Sequence, residues 1–198
     1  MLSVVSIVEG YGEVAALPIL IRRLANISQP QTEVRAEPPI RVHRDKFLKK
    51  EYEFKRQMLL AAAKCGENGW ILLVLDADDD CPAELSKDIL KRAQEYIPHR
   101  RFSVVLAKRE FEAWFIAAAR SLDGKRGFCF DPQHAVPAEE KRNAKKWLAT
   151  QMQGSYSETL DQPAFTAQFD MRQARQQSPS FRKLCKEWEA HIGKLVMG

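Results

Sequence analysis

Five apolar residues, Ile71-Leu72-Leu73-Val74-Leu75, run directly into Asp76-Ala77-Asp78-Asp79-Asp80. A short continuous apolar run bounded by turn-formers predicts a strand buried on both faces, as in a parallel sheet. The carboxylates then fall at the carboxyl end of that strand, where open α/β sheets place their ligands. Four carboxylates within five positions repel one another unless a cation or several hydrogen bonds compensate. Hard oxygen ligands suit Mg²⁺, Mn²⁺ or Ca²⁺. An acidic turn can also be a solvated cap for the next helix. A second acidic strand end is what turns the stretch toward chemistry.

Two more such ends follow from the pattern. Ser3-Val4-Val5-Ser6-Ile7-Val8 is rich in β-branched residues and predicts a first strand. It meets Glu9-Gly10-Tyr11-Gly12-Glu13, where two glycines permit a tight turn and close approach of a ligand. Residues 14–24 are then apolar at helical spacing, with Arg22 and Arg23 near the end and Pro18 early enough to be tolerated. Glu9 and Glu13 could face one cation, or Glu13 could simply complement the helix terminus. Phe102-Ser103-Val104-Val105-Leu106-Ala107 predicts another strand. It leads into Lys108-Arg109-Glu110-Phe111-Glu112-Ala113-Trp114-Phe115, the expected start of a helix.

Between these ends, residues 26–39 read as a loop or weak strand with Pro30, Pro38 and Pro39, and residues 40–44 as an edge-like strand with a surface His43. Residues 47–64 predict a single helix, and Pro82 suits the first position of the next one. Strands alternating with helices indicate βαβ units and a parallel sheet. The texture changes after Ala119: residues 121–137 are irregular, and residues 141–148 predict a basic helix carrying Lys141, Arg142, Lys145 and Lys146. Aromatics beside cations can stack bases, although Trp147 is more often a core anchor. Residues 158–196 look helical in pieces, with Ser178 or Ser180 as an N-cap. The expected organisation is an α/β core over residues 1–120, a parallel sheet flanked by helices, with a helical extension over residues 121–198 packed on it.

Charge and cysteines narrow the classes. Of the 198 residues, the first hundred carry 15 basic and 15 acidic side chains, whereas residues 101–198 carry 16 and 11, so the whole net charge of +5 lies in the second half. A basic surface beside an acidic site suits a phosphodiester substrate, DNA or RNA. The four cysteines form no Cys-x-x-Cys pair, which argues against structural zinc and a disulfide framework. Cys81 reads as a small packing residue beside the acidic turn. No apolar run reaches the roughly 20 residues of a membrane span. The opening apolar run is too short for a signal peptide, so a cytoplasmic protein is expected.

Glu9 at the first strand end, Asp76-x-Asp78-x-Asp80 at the third and Glu110-x-Glu112 at the fourth together resemble a TOPRIM domain. That Rossmann-like fold occurs in topoisomerases, primases, small ribosomal-RNA maturases and the overcoming-lysogenization-defect nucleases. From Glu9 to Ser178-Pro179-Ser180-Phe181 the chain resembles the DUF4276 family, on the nuclease and phage-defence branch, often encoded beside an ATPase. The resemblance implies a metal-dependent endonuclease using Mg²⁺ or Mn²⁺, with Glu9 as proton-transfer group and ligand. Asp76 and Asp78 would be the main ligands, with Glu13, Asp80 and Glu112 completing the set and Glu110 capping a helix. Lys108 or Arg109 could stabilise a pentacovalent transition state, and Lys141, Arg142, Lys145 and Lys146 could meet the nucleic-acid backbone. Two cations can neutralise both the attacked phosphate and the leaving oxygen. No Walker A loop is present, so any ATP hydrolysis falls to a partner. Two rivals stand beside this expectation: a catalytically silent binding or regulatory subunit, and a small-molecule phosphoryl-transfer enzyme. The sequence sets no oligomeric state.

Overall fold

Unbroken apolar sequence produces the centre of a sheet. In a computed structural model, which describes residues 1–28 and 33–197, the organising run becomes strand β4 (Trp70–Asp76), buried throughout up to Leu75. It lies between β1 (Leu2–Val8) and β5 (Arg101–Ala107), parallel to both. Two short strands, β2 (Val34–Ala36) and β3 (Ile40–Arg41), pair in parallel with the first and last parts of β1. The order is β2-β1-β4-β5 with β3 also on β1, giving five parallel strands, Rossmann-like in layout. Register decides where the acids meet: Asp76 lies opposite Ala107, and Ile7 opposite Leu73. The ends of β1, β4 and β5 are therefore nearly level.

Side chains alternate across the sheet and divide the core in two. Val4, Val8, Leu72, Val74 and Val105 pack against α1 (Tyr11–Ile27), α5 (Ala113–Ala117), α7 (Glu158–Thr166), α8 (Met171–Gln177) and α9 (Pro179–His191). Val5, Ile7, Leu73, Leu75 and Leu106 pack against α3 (Glu51–Cys65) and α4 (Pro82–Tyr96). Residues beyond 120 belong to the first of these layers. Phe115 meets Phe165 and Phe169 edge-on, and Trp114 meets Phe181 in the same way. Arg23 fastens α1 to this layer by donating to the carbonyls of Thr166 and Phe169 at 2.7 and 2.8 Å. The N-cap of α9 is Ser178, whose Oγ accepts the Phe181 N–H.

Several local expectations change. The helix expected over 47–64 is two helices, α2 (Arg44–Lys49) and α3, parted at an extended Lys50. A straight helix would separate Phe47 and Phe54 by about 10.5 Å along its axis, whereas the break brings their ring centroids to 4.9 Å. The helix expected from residue 108 starts only at Ala113. Arg109 is left-handed, with φ 68°, and the Phe111 N–H is taken by Asp76 rather than by a helical carbonyl. Helix α1 reaches Ile27, so the first residues of the expected loop are helical, while Pro30 lies outside the described residues. Cys81 is exposed, because it is the N-cap of α4 and stands ahead of the first packed turn. No helix among the described residues is long and apolar enough to cross a membrane.

Candidate active site

Three strand ends send carboxylates into one enclosed region. Glu13 lies in the first turn of α1 and bends back, accepting the Glu9 and Gly10 N–H groups on Oε2 at 3.0 and 3.2 Å. This is the carboxylate half of a capping box. Gly12 lets α7 lie directly on this turn. A Cβ at residue 12 would stand 2.0 Å from Gln162 Oε1 and 2.5 Å from the Glu158 carbonyl oxygen. Asp76 ends β4, and its Oδ1 accepts the Phe111 N–H at 2.7 Å. Glu112, the N-cap of α5, is 0% exposed. Its Oε1 accepts from Tyr156 Oη at 3.0 Å and from Gln162 Nε2 at 3.3 Å, while its Oε2 is buried with no partner among the described residues.

Crowding shows in the proton affinities. Burial first, and then the charges of Glu13 and Glu112, raise Asp76 well above the usual carboxylate range. Burial likewise raises Glu13, against the two backbone N–H groups that it accepts. Glu112 is pushed up to about 7, again by burial, with Lys145 opposing. Lys145, on α6 (Ala144–Thr150), is the cation of this region. Burial would lower its pKa, but Glu112, Glu158 and Asp76 outweigh that and raise it. Its Nζ also lies 2.9 Å from Glu158. Tyr156 is held above its usual value by burial and by Glu112, so it remains a hydrogen-bond donor.

Glu9 stands outside this group. It is half-buried, and burial raises its pKa, with Asp78 adding to the effect and Arg44 opposing it. The remaining aspartates turn outward. Asp78 has φ 49° and its carboxylate lies 3.7 Å from Arg44, which also pairs with Asp80. Arg44 donates a further bond to the Asp76 carbonyl at 3.1 Å. Asp79 is held by Arg109 and Arg142, which lower its pKa, Arg142 first. The chain does curl after Asp76, but the curl carries Asp78 and Asp80 toward Arg44 rather than toward Glu13 and Glu112.

The basic residues also separate. Lys145 faces the carboxylates, Arg142 faces Asp79, Lys146 is exposed, and Lys141 lines a cavity with Trp147 and His134. Lys108 lines a groove with Leu106, Glu139 and Lys183. Glu110 caps a helix, and the helix is α6: its carboxylate accepts the Ala144 and Lys145 N–H groups at 2.9 and 3.4 Å. Tyr156, Gln162 and Arg44 are site residues that the sequence does not single out. None sits in a pattern with the acids; only the presence of a polar residue on a mostly buried helix face hints at Gln162.

The donors are hard oxygens, the kind that Mg²⁺ and Mn²⁺ prefer, and Glu112 Oε2 is an acceptor that meets no donor among the described residues. In donor type and charge the set fits a divalent cation. It is not pre-assembled: among the described residues no three His, Cys, Asp or Glu side chains converge closely enough to hold an ion. One family model, a domain of unknown function (DUF4276), matches residues 8–189. No curated protein and no solved structure matches the chain.

Proposed function

The chain belongs to the DUF4276 family, and on that premise we propose that it is a divalent-metal-dependent endonuclease of TOPRIM-like character. It would cut phosphodiester bonds of DNA or RNA, as in the overcoming-lysogenization-defect nuclease branch that it resembles, with an ATPase partner in phage defence. The observation that carries the proposal is the crowding of Asp76, half-buried at the end of β4, by the charges of the buried Glu13 and Glu112. Isolated buried carboxylates are costly, and three together invite a cation beyond the one that Lys145 supplies. Glu13, Asp76 and Glu112 would hold Mg²⁺ or Mn²⁺, with Glu9 at the rim. Bound there, the ion supplies neutralisation of charge on the attacked phosphate.

The chain's own groups have separable tasks. Glu112, with its pKa of about 7 before any ion binds, can carry a proton at neutral pH and would release it on becoming a ligand. Lys145 stays charged and draws an anionic phosphate toward the carboxylates, which would otherwise repel it. Tyr156 and Gln162 orient Glu112 by donating to Oε1. Glu9, outermost and half-buried, is positioned to take a proton from water at the rim.

A second reading is favoured by two observations. Lys145 already offsets part of the negative charge, and among the described residues no ligand set is pre-assembled. A catalytically silent binding subunit would look the same. The test is cleavage of a DNA and RNA panel with Mg²⁺ or Mn²⁺ by the wild type and by Asp76→Asn. The nuclease proposal expects divalent-dependent cutting that Asp76→Asn lowers by more than the roughly 10–100-fold cost of losing an outer-shell partner. Activity unchanged in Asp76→Asn refutes it. A melting temperature raised by the metal, without cleavage of any substrate, selects the silent subunit instead.

A further inference from the structure

Beside the buried carboxylates lies a smaller cleft of ≈ 180 Å³, lined by Asp78, Asp79, Arg109, Glu110, Arg142 and Asn143. Three of these residues are left-handed without being glycine: Asp78 at φ 49°, Arg109 at φ 68° and Asn143 at φ 54°. Elsewhere among the described residues only Arg126 shares that conformation. For arginine it is strained, and it persists only where neighbouring contacts enforce it. Here the two turns hold each other: the Asp78 N–H donates to the Arg109 carbonyl at 3.0 Å, and Arg109 Nη1 reaches the Asp78 carbonyl at 3.4 Å.

The result is two guanidinium groups from separate segments meeting one carboxylate. Arg109 pairs with Asp79 Oδ1, and Arg142 reaches the same oxygen at 2.9 Å and Oδ2 at 3.1 Å. The Asp79 side chain is nevertheless 67% exposed. Arg109 Nε is buried and donates to no group among the described residues. A planar carboxylate does not exhaust this donor set. A phosphoryl group has more acceptor oxygens and more charge, and paired arginine forks are suited to it.

We propose that this cleft is a phosphoryl-binding subsite, and that Asp79 fills it in the free protein as an internal anion which an incoming phosphate displaces. The proposal rests on the reading of the chain as acting on phosphodiesters, and adds to it a step in which substrate must compete with the protein's own carboxylate. A backbone phosphodiester and a terminal phosphate offer the same chemistry. Exchange is feasible because exposed ion pairs are weak, and because the Asp79 carboxylate already faces solvent. Glu110 connects the cleft to the buried cluster: it lines the cleft and caps the helix that carries Lys145.

The test measures binding in EDTA, so that no cleavage is needed. Fluorescence anisotropy follows 5′-phosphorylated and 5′-hydroxyl oligothymidylates, with inorganic phosphate as competitor. Asp79→Asn is expected to bind roughly 5- to 10-fold tighter than wild type, the scale set by two exposed ion pairs released together. Adding Arg109→Ala should remove the gain. Asp88→Asn, an equal change of charge at an exposed position on α4, should produce none. A gain confined to the 5′-phosphorylated probe, with inorganic phosphate competing, assigns a terminal phosphate; a gain with both probes assigns the backbone. No gain in Asp79→Asn, or an equal gain in Asp88→Asn, overturns the proposal. Cleavage by the wild type without that gain would sink the subsite alone, whereas the gain without any cleavage would sink the nuclease reading alone.

Discussion

Replacing Glu112 by glutamine removes a charge that the fold holds at a cost. The new amide would keep an oxygen for Tyr156 and Gln162, which both donate to Oε1 in the wild type. What changes is ionisation. The carboxyl moves from 4.5 to about 7 in the folded chain. At about 1.4 kcal/mol per pH unit, this is worth about 3 kcal/mol. The folded form binds its proton more tightly than the unfolded form. Stability contributed by this group is therefore complete below pH 4.5 and is lost as pH rises to about 7. Asp76 and Glu13, also raised by burial, slope the same way, so the comparison must be between wild type and variant, not within one curve. That shift already includes the attraction to Lys145, so a net difference of about 3 kcal/mol is expected above the window. For a chain of this size, about 2–4 °C accompanies each kcal/mol, so Glu112→Gln should melt about 6–12 °C higher on the alkaline side. Thermal melts in EDTA, from below pH 4.5 to above 7, read the effect. Parallel curves for the two proteins, or a less stable variant above the window, would show that Glu112 does not carry this penalty.

Gly12→Ala should destabilise by about 1–3 kcal/mol in urea unfolding, the cost of overpacking. Its new methyl meets a Glu158 backbone oxygen at 2.5 Å, which cannot rotate aside; an unchanged midpoint would mean that α1 and α7 separate freely. Glu110→Ala should cost about 1 kcal/mol through loss of the cap on α6. The same measurement checks it, and no loss would mean that water replaces the carboxylate without penalty.

The legible parts of the site are those set by local pattern. Asp76 is readable because an unbroken apolar strand must end somewhere, and its first carboxylate lies at the boundary. Glu112, an acid directly ahead of Ala113 and Trp114, is readable through the family resemblance, and nothing in the letters shows that it caps α5 and is buried. Asp78 and Asp80 look equivalent to Asp76 along the chain. Nothing in the letters encodes the left-handed φ at Asp78 or the arrival of Arg44, which turn them outward. The order of Glu9 and Glu13 also depends on three dimensions. Glu13 lies inside because α1 begins at Tyr11 and packs on α7, leaving Glu9 at the rim. Tyr156, Gln162 and the inward Lys145 return from the last third of the chain. No local spacing links them to Asp76; only the shared packing layer does. The alternation of strands and helices is visible throughout, because sheet and helix periods are written residue by residue.

One margin of the sheet has a consequence for life in a crowded solution. The outer side of β1 is divided between three residues of β2 and two of β3, with Pro38 and Pro39 between them. Proline has no N–H to offer. A foreign strand arriving there meets a broken row of partners, and broken rows are how natural sheets avoid joining one another. That flank cannot template runaway growth of sheet from one molecule to the next.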